Sequence, residues 1–174
     1  PATDVGPVID AEARTALEQH LALLEREAKV LHRLPAPAGG TFFGPVLAEI
    51  PSARFLTREV FGPILHLVRY DPEEVDAAAA ELAASGYGLT LGVHSRLQGF
   101  AERVRRGVPA GNTYVNRSII GAVVGVQPFG GEGLSGTGPK AGGPHALLRY
   151  AVERALSVNI AAQGGDPALL NLAD

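Results

Sequence analysis

The sequence predicts an α/β fold, a parallel sheet with flanking helices, and three observations carry that prediction. Residues 64–70, 89–94 and 111–116 are short apolar or β-branched runs bounded by turn residues, as strands are. The stretches between them carry helix signals, and two helical connections of this length imply right-handed crossovers and parallel strands. A Gly/Pro-rich segment, residues 117–144, leaves the third strand at its carboxyl end, where sheets of this kind bind ligands.

The elements follow in order. Over residues 10–32, Leu17, Leu21, Leu24, Ala28 and Leu31 recur at helical spacing, with Asp10 as N-cap and Glu12 in the first turn. Residues 35–40 (Pro35, Pro37, Gly39 and Gly40 among them) break the chain, and residues 41–50 read as an extended segment or hairpin. After the first strand, Asp71, Pro72, Glu73 and Glu74 give an N-cap, an N1 proline and an acidic first turn, and Gly86 can close the helix. Ser95-Arg96-Leu97-Gln98 fits a capping box for the next helix, whose basic end is followed by Gly107. Residues 145–151 read as a short helix. Residues 153–162 alternate like a strand that has no partner nearby in sequence.

Composition narrows the function. With 174 residues, 46% hydrophobic and 19% charged, the chain can bury a core and is not a disordered segment. A net charge of -3 offers no electrostatic footprint for nucleic acid or an anionic membrane. No apolar run approaches the roughly 18 residues of a membrane span, and the start lacks the pattern of a signal peptide, so a cytoplasmic location is expected. There is no cysteine, which excludes disulfides and thiolate metal ligands, and no methionine, which suits a fragment of something longer.

Single motifs say little. Gly131-Glu132-Gly133-Leu134-Ser135-Gly136 satisfies GxGxxG, but no strand precedes it and Pro139 stands where a helix would open, so it is not a dinucleotide cradle. Its glycines instead permit close approach of backbone to a ligand or another chain. The five histidines show no metal spacing, and His66 and His94 read as packed strand residues. Residues 103–106 complement a helix end, and Glu73, Glu74, Asp76 and Glu81 form a solvated helix face.

Taken jointly, Glu59-Val60-Phe61-Gly62-Pro63, then AGNTYVNR at residues 110–117, QPFGG at 127–131 and SGTG at 135–138 resemble the aldehyde dehydrogenase superfamily, specifically its carboxyl-terminal part. Residues 121–129 with GLSGTGPKAGGP are most similar to L-glutamate γ-semialdehyde (1-pyrroline-5-carboxylate) dehydrogenases, above all that domain of bifunctional proline utilisation A proteins. The resemblance implies that Glu59 accepts hydrogen bonds from the nicotinamide ribose of NAD and that Phe61 walls the nicotinamide. It also implies that the backbone N–H groups of Gly121 and Ala122 hold a substrate α-carboxylate, with Phe129 on its aliphatic stem. Read from residue types alone, Glu59 is a loop carboxylate and Phe129 a packed ring.

In that family a cysteine thiolate attacks the aldehyde, hydride passes to NAD, and water releases the acid. No such sulfur exists here, and Ser135 has no visible base. The resemblance therefore implies no catalytic residue in this chain, no metal, and an upstream portion that supplies the nucleophile and the Rossmann half. It assigns residues 1–152 to the catalytic domain, 153–162 to an oligomerisation strand and 163–174 to a tail or linker. FAD enters only if a proline dehydrogenase domain is attached upstream. The expected partners are a semialdehyde substrate, the upstream portion and further copies of the chain. The alternative is a noncatalytic interaction or oligomerisation module derived from such an enzyme.

Overall fold

A computed structural model describes residues 5–123, 125–159 and 162. Helix α1 (Ala11–Glu27) starts where the sequence indicates, with the Asp10 carboxylate accepting from the Ala13 N–H at 2.7 Å. It ends earlier than expected. Ala28 is extended, and strand β1 (Lys29–Arg33) replaces the predicted last turns. The cause is tertiary: β1 pairs antiparallel with β2 (Val46–Glu49), a ladder that local apolar spacing cannot foresee.

Strand β3 (Ile64–Leu67) pairs parallel with β2 on its other side, in the order β1-β2-β3. Leu17, Leu21 and Leu24 on α1 pack onto one face of this sheet against Phe43, Val46, Ala48 and Ile50. A 3-10 turn at Pro72–Glu74 leads into α2 (Val75–Ala84). Asp71 accepts from the Glu74 N–H through its backbone carbonyl, not its side chain. Gly86, at φ +76, reverses the chain after α2 as the sequence suggests.

Strand β4 (Tyr87–Gly88) and strand β5 (Thr90–Val93) follow, then α3 (Gln98–Gly107) and β6 (Asn112–Val115). The capping box does not form. Ser95 Oγ accepts from the Leu97 N–H, and its backbone is held from both sides by the Asn116 amide at 2.9 Å. Helices α2 and α3 pack together, their outer faces joined by the Asp76–Arg103 pair. On α3 itself, Arg105 and then Arg106 hold the Glu102 carboxyl down to about 2.

The expected single parallel sheet is a correction. β5 and β6 pair parallel with each other, while β3 pairs only with β2, so the parallel strands form two separate pairs. Strand signals are local, whereas the choice of neighbour is set by packing. Strand β7 (Glu132–Gly133) pairs antiparallel with β4 and draws the glycine-rich segment across the molecule. A 3-10 turn covers Ala146–Tyr150. Residues 151–159, which hold most of the expected strand at 153–162, pair with no described strand and leave Val152, Leu156 and Val158 exposed. Residues 160 and 161 of it, and the whole 163–174 tail, lie outside the described residues. Among the described residues, no helix is long and apolar enough to cross a membrane.

Candidate functional site

The segment joining the 3-10 turn at Ala53–Phe55 to β3 carries Glu59 and rests on α1. Val60 packs against the Leu17–Leu21 cluster. Gly62 lies so close beneath Leu17 that a Cβ there would stand 2.6 Å from the leucine methyls. With its underside so occupied, the segment turns Glu59 outward. The carboxylate is exposed and makes no ion pair among the described residues, which leaves both oxygens able to accept hydrogen bonds. Phe61, two residues on, is 86% exposed, a large apolar ring presented to whatever covers this face.

Glu59 lines a cavity of about 400 Å³ together with Arg58, His66, Thr90 and Ser135. His66 belongs to β3 and Thr90 to β5, so the cavity stands between the two parallel pairs. Ser135 is not poised as a nucleophile: its Oγ accepts from the Gly88 N–H at 3.1 Å and ties the glycine-rich segment to β4. The GxGxxG stretch is thus a β-paired turn, with Gly131 and Gly136 in backbone contact that no side chain would permit.

The other sequence-predicted residues do not line this cavity. Gly121 (φ +87) and Ala122 lie on the exposed segment after β6, and their N–H groups donate to no described backbone carbonyl. Phe129, 41% exposed, is held by a two-bond bridge to Ala141 at 3.0 and 2.9 Å. A residue that sequence reasoning missed sets that position. The Asn112 side chain donates to the Pro128 carbonyl at 3.0 Å and accepts from the Gly130 N–H at 3.4 Å, gripping both sides of Phe129. Gly111 beside it admits the Gly130 carbonyl where any Cβ would collide. Asn112 lies inside the AGNTYVNR stretch that carries the family resemblance, but that resemblance implied no role for it.

A second missed feature is a histidine pair. Nε2 of His20, on α1, lies 2.8 Å from Nε2 of His66, on β3, with the rings edge to face at 73°. Burial lowers the pKa of both below the ordinary value of 6.5; Arg58 adds to the effect at His20. The pair is therefore neutral at pH 7, one ring donating and the other accepting. Among the described residues, no group of three or more His, Asp or Glu could hold a metal.

The model of the aldehyde dehydrogenase family matches residues 1–156. The chain belongs to that family. Bifunctional protein PutA of Klebsiella aerogenes is 47% identical over 94% of this chain, and 1-pyrroline-5-carboxylate dehydrogenase of Geobacillus kaustophilus is 36% identical over 90%. A crystal structure of Bradyrhizobium japonicum Proline Utilization A superposes with TM-score 0.86 at 55% identity over 92% of the chain and 16% of that protein. A 1-pyrroline-5-carboxylate dehydrogenase from Thermus with bound NAD gives 0.72 at 38% over 80% of the chain and 27% of that protein. The fold is thus an aldehyde dehydrogenase fold of mixed α/β content. This aldehyde dehydrogenase family chain spans 13% of the Klebsiella protein and 30% of the Geobacillus one.

Proposed function

We propose that the chain is the carboxyl-terminal part, residues 1–152, of the catalytic domain of an NAD-dependent L-glutamate γ-semialdehyde dehydrogenase, followed by an oligomerisation strand at 153–162 and a tail. It oxidises glutamate semialdehyde to glutamate in proline catabolism only as part of the complete enzyme. The observation that carries this reading is the match to PutA over nearly the whole chain, in a sequence without a single cysteine.

The site residues fit the cofactor. Glu59 offers an exposed, unpaired carboxylate of the kind that accepts from two ribose hydroxyls, and Phe61 offers a free ring beside it. NAD, when bound, supplies the hydride acceptor. The chain's own work is to bind and orient. Gly121 and Ala122 direct free N–H groups at the substrate carboxylate, small side chains letting both donors converge on one anion. Phe129, fixed by Asn112, shields the aliphatic stem from water. FAD belongs to this assembly only where a proline dehydrogenase domain precedes it. The unpaired residues 151–159 support the oligomerisation reading, since an extended apolar arm gains its ladder by adding to another chain's sheet edge. The same arm is what favours the second reading, a noncatalytic interaction module.

Two substitutions in the complete enzyme test the assignment. Glu59→Gln should raise KM for NAD about tenfold, the loss of roughly one charge-assisted hydrogen bond. Ala122→Leu should raise KM for the semialdehyde by about tenfold through steric loss of its anion donors while sparing NAD affinity. Unchanged kinetics in both variants would leave the interaction module as the better account.

A further inference from the structure

We propose that His20 and His66 are positioning residues for Glu59: their mutual hydrogen bond locks α1 to β3 and so fixes the floor on which the Glu59 segment lies. The inference rests on the ribose role given to Glu59 above.

His20 is a buried polar side chain, 7% exposed in an otherwise apolar helix face. A buried polar group is costly unless paired, and its partner is His66, 46 residues away on the strand that the Glu59 segment runs into. Each imidazole lines a cavity that this segment also lines. His20 lines a small cavity with Arg58 and Val60, whereas His66 lines the larger one with Glu59. Ile64 N–H donates to Gly62 at 2.9 Å and Val46 N–H to Pro63 at 3.0 Å, so the end of the segment moves with β3. A shift of β3 against α1 would carry Glu59 with it.

The chemistry of the pair gives it a proton dependence. Two neutral rings meeting Nε2 to Nε2 must be opposite tautomers, one protonated at Nε2 and the other at Nδ1. One added proton preserves the bond, since an imidazolium still donates. A second places two donors face to face and breaks it. Across the two cavities, the ionisable groups facing the pair are Arg58 and Glu59 from the segment itself and Tyr87 from β4; α1, α2 and β5 contribute none. Arg58 opposes protonation of His20, and Glu59 is the carboxylate lining the cavity on the His66 side.

The test is steady-state kinetics of the complete dehydrogenase from pH 5 to 8, with His20→Asn, His66→Leu and Glu59→Gln compared. Both histidine variants should raise KM for NAD about threefold to tenfold, with kcat and semialdehyde KM within about twofold, as expected for one misplaced binding group. The wild-type KM for NAD should hold through the first protonation and climb only at the acid end of the range, where a second proton breaks the bond, and that climb should vanish in both. A raised KM in Glu59→Gln beside wild-type values and pH profiles in folded histidine variants overturns the pair alone. No change in Glu59→Gln overturns the ribose reading itself. Should the variants fail to fold, the wild-type protein still decides: nitrogen NMR of the imidazoles should show one Nε2-protonated and one Nδ1-protonated ring, and two rings of the same tautomer refute the proposal.

Discussion

The 174-residue chain alone should give no NADH from glutamate semialdehyde and NAD, and turnover should appear when the preceding portion of the enzyme is supplied as a separate polypeptide. The expected difference is all-or-none. Removing the nucleophile from an enzyme of covalent mechanism costs on the order of 10⁴-fold or more, because binding and orientation alone cannot replace the attacking group. The chain has no cysteine to supply a thiolate. Ser135 is engaged as an acceptor for the Gly88 N–H, and a neutral hydroxyl without a base attacks poorly. His20 and His66 are occupied with each other. The measurement is NADH absorbance with the purified chain, the purified preceding portion, and the two refolded together. Turnover by the chain itself would refute the proposed division of the site; a folded complex with no turnover would favour the interaction module.

Leu17→Ala should be the most damaging single substitution in α1, lowering stability by about 3 kcal/mol, within the roughly 2–5 kcal/mol range of buried leucine truncations. Leu17 is 1% exposed and touches two things at once, the β2 face through Val46 and the Glu59 segment through Gly62. Truncation therefore leaves a cavity that the sheet cannot close without lifting the segment. Against a total stability of about 5–15 kcal/mol the loss is large. A lowered urea midpoint checks the first consequence, and a raised KM for NAD in the complete enzyme checks the second. A midpoint shifted by less than about 1 kcal/mol equivalent would show that the site collapses freely and that α1 is not the rigid floor described above.

Much of the architecture was legible because its signals are local. Asp10 caps α1, Gly86 ends the turn after α2, and the three predicted parallel strands all exist. What failed depended on partners distant in sequence. Residues 29–33 kept the apolar spacing of a helix but found a strand to pair with, and Ser95 spent its backbone on Asn116, 21 positions away, instead of capping α3. The split into two parallel pairs was invisible for the same reason: a run of β-branched residues announces a strand and not its neighbour. The site divides likewise. Glu59, Phe61, Gly121, Ala122 and Phe129 came from a joint motif pattern, whereas Asn112 and the His20–His66 pair emerge only when separate elements are brought together in space.

The grip of Asn112 has a consequence for how such a molecule can change. Because a single amide clasps the residues on either side of Phe129, the ring is geared to β6 and not to the exposed run before it. A change in the run that holds Gly121 and Ala122 can therefore alter the proposed grip on an anion while the aromatic wall stays where it is. The proposed anion-holding backbone at Gly121 and Ala122 and the aromatic ring are carried by separate supports within one loop, so a change at one need not displace the other.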